Sequence, residues 1–220
     1  MRVVVAGGHG KIALHLEKLL ADRGDSVTGL IRNPAQNDDL RAVGAEALVL
    51  DLENASVDQV AQQLVGADAV VFAAGAGPGS GIPRKTTVDR DAAILLADAA
   101  EVAGVGRYLM ISAMGAEGDT AGSGSDEVFA AYLRAKAAAD AALRARSGLD
   151  STIVRPGLLT DEAGTGRVRV AKSTGRGSIP RADVAAVLVA LLDAPATGGV
   201  TFELISGDTP IANAVSTLGR

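Results

Sequence analysis

The run Gly7-Gly8-His9-Gly10-Lys11-Ile12-Ala13 is the place where this sequence could hold phosphate. It reads in two registers: Gly8-x-Gly10-x-x-Ala13, or the wider Gly7-x-x-Gly10-x-x-Ala13. Both rest on the same physics. A glycine permits a tight turn, a second lets the backbone approach a pyrophosphate, and a small third residue lets the helix pack closely on the strand. The free N–H groups at the helix start then face the phosphates, with Gly7, Gly10, Lys11 and Ile12 forming the cradle. Lys11 sits in the first helical turn, where the helix dipole disfavours a cation and a nearby pyrophosphate would remove that penalty. His9, at the tip of the turn, suits a phosphate or ribose contact and a solvated position equally.

Two further positions bear on which dinucleotide is held. An NAD site usually places an acid at the end of the second strand, to accept hydrogen bonds from the ribose hydroxyls. Here that strand ends Gly29-Leu30-Ile31-Arg32-Asn33-Pro34. No acid is present, and the Arg32 guanidinium could clamp a 2′-phosphate bidentately, which points to NADP(H). After the third strand, Asp51-Leu52 is placed to contact the adenine, although Asp51 also fits as a loop cap. Other chemistry is excluded by composition. With no cysteine there is no disulfide scaffold, thiolate metal site or cysteine nucleophile. His9 and His15 are too few for an all-histidine zinc site.

These residues need a frame. Apolar runs at Arg2–Ala6, Ser26–Ile31, Ala45–Leu50, Ala69–Ala74, Arg107–Ser112, Ser151–Arg155 and Thr201–Ile205 read as strands. Helical stripes lie between them: Ile12, Leu16, Leu19 and Leu20 in one, and Val184, Val187, Leu188, Leu191 and Leu192 in another. Ser56 with Gln59 forms a capping box over Val57, Val60 and Leu64. Continuous apolar strands alternating with helices mean a parallel sheet covered on both faces. The expectation is α/β: a single-domain Rossmann-type, doubly wound sheet of about seven strands spanning residues 1–220. Aromatic residues are only 2% against 48% hydrophobic, so the core is built from Val, Leu, Ile and Ala. The Gly-rich stretches Gly75–Pro83 and Gly115–Asp126 follow strands at the carboxyl edge, where such folds bind ligands, and read as flaps.

A net charge of −5 argues against a broad basic face for nucleic acid. No apolar run approaches the roughly 20 residues that a membrane span requires. The N-terminus enters a strand without a signal-peptide pattern, so a cytoplasmic protein with a small-molecule substrate is expected. The Ala-rich helix Asp126–Ser147 is either a dimer seam or packed on the sheet, leaving monomer and homodimer open.

With the glycine turn, Arg32-Asn33-Pro34 and Asp51-Leu52 in place, the chain resembles the short-chain dehydrogenase/reductase superfamily. It is most similar to small atypical bacterial members: NmrA-like, biliverdin-reductase-B-like and epimerase-like NAD(P)-binding proteins. The likeness extends through Ala73-Ala74-Gly75-Ala76-Gly77, Ile111-Ser112-Ala113, Val154-Arg155-Pro156-Gly157, Arg181-Ala182-Asp183-Val184-Ala185 and Phe202-Glu203-Leu204. It implies that Ala73, Ala74 and Gly75 line the adenosine-ribose side, and that Pro156, Gly157 and Leu158 flank the nicotinamide.

The resemblance also implies a catalytic set. The superfamily uses Tyr-x-x-x-Lys on one helix with an upstream Ser, matched here by Tyr132, Lys136 and Ser112. Residues four apart share a helix face, so the ammonium can lower the phenol's pKa and hold the nicotinamide ribose. Ser112 would polarise a substrate carbonyl, and Tyr132 would pass the proton. Lys85 and Asp89 fall near where a substrate should lie, with Asp89 stabilising a helix start. The expected activity is NADP(H)-dependent reduction of a small carbonyl, quinone or flavin-like acceptor. An NmrA-like NADP-binding regulator without turnover is the alternative. A sugar-nucleotide epimerase would need a larger substrate domain than follows the sixth strand.

Overall fold

The computed structural model describes residues 1–77, 79–117 and 127–219. The first strand, β1 (Arg2–Ala6), shows how the sequence sets the layers. Its side chains alternate between two faces, and both are buried. Val3 and Val5 join one core, with Leu16 and Leu20 on α1 (Lys11–Asp22) and Val184 and Leu188 on α7 (Arg181–Leu192). Val4 and Ala6 join the other, with Leu64 on α3 (Val57–Leu64) and Leu96 on α5 (Ala92–Ala103). A half-polar strand could not do this. Each such valine contributes roughly 1.5–3 kcal/mol by leaving water.

The remaining parallel strands are β2 (Ser26–Ile31), β3 (Glu46–Val49), β4 (Ala69–Phe72), β5 (Arg107–Ile111), β6 (Asp150–Pro156) and β10 (Thr201–Ser206). They run in the order β3-β2-β1-β4-β5-β6-β10. The chain reverses direction across the sheet between β1 and β4, which opens a crevice at their carboxyl ends. The short helix α2 (Asn37–Ala42) leads into β3, and the Ser56–Gln59 capping box starts α3.

The strand count is higher than about seven. β8 (Arg167–Ala171) pairs antiparallel with β10, and β11 (Thr209–Pro210) pairs antiparallel with β8, giving a nine-stranded sheet. β7 (Leu158–Thr160) and β9 (Ser178–Pro180) form a separate parallel pair, and α8 (Ile211–Ser216) closes the chain. Among the described residues no helix is long and apolar enough to cross a membrane.

Two elements differ from expectation where it matters for the site. The stretch read as a loop through Pro83 is already helical from Gly81. Here α4 (Gly81–Arg84) runs through a π-helical segment, Lys85–Asp91, into α5. Proline in a first helical turn has no hydrogen bond to lose, and π segments often aim side chains at functional sites. The long Ala-rich helix is α6 (Glu127–Arg144), packed against the π segment and α5.

Candidate functional site

The glycine turn is wedged between two strands. Gly7 has φ +82°, and a Cβ there would lie 2.6 Å from the Cα of Ala74 beyond β4. A Cβ on Gly8 would lie 2.7 Å from the Cα of Gly29 in β2. Gly10 is the N-cap of α1, accepting from the Leu14 amide at 2.9 Å. The amides of Lys11, Ile12 and Ala13 therefore have no carbonyl one turn back in the helix, and they open at the crevice mouth. A Cβ on Gly10 would come within 3.1 Å of the Gly7 carbonyl and fill that cradle. The geometry fits a pyrophosphate held by backbone amides. Ile12 takes part through its amide alone, because its side chain is in the core. Lys11 is exposed and paired with Asp161 at 2.5 Å, and Asp161 in turn pairs with Arg181.

Beneath the turn lies a group that composition did not flag. Glu17 on α1 is fully buried against Gly8 and Gly29, with no hydrogen-bond partner for either carboxyl oxygen. Burial pushes its pKa up to about 8, so it is neutral at pH 7.

A cleft of about 310 Å³ opens from the turn across the ends of β2, β3 and β4, on the side where the resemblance implies the adenosine. Gly7, Gly10, Arg32, Asp51, Leu52, Ala73, Ala74 and Gly75 all line it. Asp51 also caps its own loop, accepting from the Glu53 amide at 3.1 Å and the Asn54 amide group at 2.7 Å. The sequence does not point to two of the charged residues that line it, Glu53 and Arg84. Glu53 Oε2 accepts from Arg84 at 2.6 Å and from Arg32 at 3.3 Å, and Glu53 Oε1 accepts from Thr87 at 2.6 Å. The Arg84 bond is the main reason its carboxyl lies below the usual range.

Ser112, Tyr132 and Lys136 come together at the ends of β5 and β6. Lys136 donates to the Ile111 carbonyl at 3.1 Å and lies 3.5 Å from Asp89, while its ammonium is 6.0 Å from the Tyr132 ring centre. The Lys85 ammonium faces the same ring at 5.5 Å. Pro156 accepts from the Met114 amide at 3.1 Å and Gly157 donates to Leu204 at 2.9 Å, while Leu158 projects into solvent. These three residues therefore lie on the side of Ser112 and β6, away from the lining of the cleft beside the glycine turn.

Four side chains here sit differently from expectation. The Tyr132 phenol is raised above its ordinary pKa, not lowered, because it is buried and faces the Asp89 and Asp140 carboxylates. Lys136 is itself buried, which lowers its own pKa, and its charge is spent on Asp89 and the Ile111 carbonyl. Asp89 does not start a helix. It is buried mid-helix in the π segment, facing Lys136 and accepting from the Ala76 amide at 3.3 Å. Finally, Ser112 donates to Asp140 at 2.9 Å, and Asp140 is held in turn by Arg155 at 2.7 Å. Asp140 lies four residues beyond Lys136 on the same stripe as Tyr132, a spacing that could have revealed it. The proposed flap over Gly115–Asp126 lies outside the described residues beyond Glu117, which pairs with Arg155 at 2.6 Å. Among the described residues no cluster of His, Cys, Asp and Glu could hold a metal.

Known proteins resemble this chain in sequence and fold. The profile of the NAD(P)H-binding family matches residues 7–195. The Bacillus subtilis protein YhfK, named as an uncharacterized sugar epimerase, is 40% identical across 99% of this chain and 100% of its own. A Bacillus halodurans structure named for an NAD-dependent epimerase/dehydratase is 40% identical, with TM-score 0.89 over 99% of this chain and 100% of that one. The anaerobilin reductase ChuY of Escherichia coli O157:H7 is 26% identical, with TM-score 0.77 over 94% and 98%. The glycine cradle, the parallel sheet and these matches agree, and the chain belongs to the NAD(P)H-binding family, among oxidoreductase-like proteins of the small atypical short-chain dehydrogenase/reductase type.

Proposed function

We propose that the protein is an NADP(H)-dependent reductase of a small carbonyl, quinone or flavin-like acceptor. The observation that carries the cofactor preference is Arg32. It stands at the mouth of the adenosine cleft, more than half exposed, at the end of a β2 strand that offers no acid to a ribose. A bound nicotinamide dinucleotide would supply the hydride. The chain's own residues supply the rest. Tyr132 stays protonated across the neutral range and is suited to donating a proton to an acceptor oxygen. Lys136 would turn to the nicotinamide ribose. Ser112, its own proton committed to Asp140, offers lone pairs that can accept from a substrate or from Tyr132.

ChuY, a reductase by name, supports this class, and the epimerase-named relatives are accommodated by the same hydride chemistry. The test is to titrate NADPH and NADH by fluorescence, then screen carbonyls, quinones and flavins for loss of reduced-nicotinamide absorbance. One observation favours a second reading, an NADP-binding regulator without turnover. The Lys136 charge is spent on Asp89 rather than on the phenol. In that case NADPH would bind and no acceptor would consume it.

A further inference from the structure

The adenosine cleft carries a charge arrangement that the cofactor reading leaves unexplained. Two guanidiniums from distant parts of the chain converge on one carboxylate oxygen. Arg32, at the end of β2, reaches Glu53 Oε2 through a single 3.3 Å contact. Arg84, at the junction of α4 and the π segment, grips the same carboxylate twice, at 2.6 Å and 3.4 Å. Thr87, one turn on, adds a third donor at 2.6 Å. Two cations share one anion, and the nearby Asp51 carboxylate, whose charge also reaches Arg84, brings the four groups to formal neutrality. What the cleft offers an anion is therefore the guanidinium N–H donors that Glu53 leaves free. Arg84 carries five N–H donors and Glu53 occupies two of them.

We propose that Arg84 is the second guanidinium of the 2′-phosphate subsite and that Glu53 is its internal counter-ion. This rests on the NADP(H) reading. Glu53 orders both arginines before the ligand arrives, and its negative charge then opposes the phosphate that they bind. The preference for a 2′-phosphate is thus a balance of three residues. Arg32 and Arg84 raise it, and Glu53 lowers it. An anion entering between the two guanidiniums gains charge-assisted bonds from both. A carboxylate a few ångströms away repels it.

The experiment uses the full chain and two ligands that lack nicotinamide, adenosine 2′,5′-bisphosphate and adenosine 5′-monophosphate, titrated by calorimetry. The ratio of their affinities reports the 2′-phosphate alone. Arg84→Ala should lower that ratio roughly tenfold, as expected for one lost charge-assisted contact. Glu53→Gln should raise it by about threefold or more, because the repulsion is gone while a hydrogen-bonding side chain remains. If Arg84→Ala does not fold, Arg84→Lys keeps a charge without the bidentate fork and should still lower the ratio. A ratio unchanged in the arginine variants, or both ligands weakened equally, would make Arg84 a strut and overturn the proposal while the Arg32 reading stood. A ratio that falls in Glu53→Gln would overturn the counter-ion role. No preference in the unmodified protein would remove the NADP(H) reading itself, and the subsite with it.

Discussion

The Ser112 hydroxyl donates to the Asp140 carboxylate at 2.9 Å, and that bond determines which way the serine can act. A hydroxyl has one proton, so Ser112 faces any substrate as an acceptor while Asp140 is ionised. Asp140 is buried and is also the partner of the buried Arg155. Asp140→Ala would leave that guanidinium short of its buried counter-ion and should cost about 3 kcal/mol of folding stability. Glu117, the other Arg155 partner, is exposed and compensates little. Denaturant unfolding checks this, and a midpoint unchanged by Asp140→Ala would contradict it.

Tyr132 yields a prediction with a direction in pH. Its phenol is pushed above the ordinary value, so it holds its proton at and well above neutrality. A protonated phenol serves reduction, in which the acceptor oxygen takes a proton. The reverse oxidation needs the phenolate. Reduction rates should therefore stay level up to at least pH 9, whereas oxidation should climb steadily with alkalinity. Tyr132→Phe should lower turnover by about 10²–10⁴-fold and leave nucleotide affinity almost unchanged. Turnover close to that of the unmodified protein would end the role of Tyr132 as proton donor.

Glu17 should make the protein less stable as pH rises. Its folded pKa of about 8 lies above the ordinary 4.5, so the unfolded chain releases this proton first. Stability is full below about pH 4.5 and is lost as pH climbs through about 8, by at most on the order of 5 kcal/mol from this group. Glu17→Gln removes the titration, and its unfolding free energy should vary much less between pH 5 and 9. A slope retained in Glu17→Gln would assign the effect to another group.

The pyrophosphate cradle can be filled from within. Gly10 has φ −67°, which any residue adopts, so Gly10→Val should fold. Its side chain would press on the Gly7 carbonyl and block the amides of the first helical turn. Nucleotide binding should be abolished with little change in melting temperature. Undiminished binding would move the pyrophosphate elsewhere.

Much of this was legible in the residues themselves. Val3-Val4-Val5 declares a strand buried on both faces, Ser56 and Gln59 declare a helix start, and the glycine turn sits where a strand gives way to an amphipathic helix. β7 and β9 were invisible because three residues carry no period, and β8 because exposed Arg167 and Arg169 break its apolar run. The site was legible only where chemistry is local. Gly7, Arg32, Tyr132 and Lys136 announce themselves by neighbours or by helical spacing. Glu53 and Arg84 do not, since they meet across 31 positions of sequence and only the folded sheet brings them together. Asp89 is illegible for a related reason: its spacing suggests a helix start, and the π segment instead buries it 3.5 Å from Lys136.

On the proposed reading, the cleft beside the glycine turn prefers the phosphorylated dinucleotide through Arg32. The most direct measurement is an equilibrium fluorescence titration of NADPH and NADH against the unmodified protein and against Arg32→Ala. NADPH should bind the unmodified protein at least about tenfold more tightly than NADH, a difference of roughly 1.4 kcal/mol. Arg32→Ala should erase most of that preference while NADH affinity stays nearly constant. Equal affinities for the two nucleotides in the unmodified protein would contradict the account.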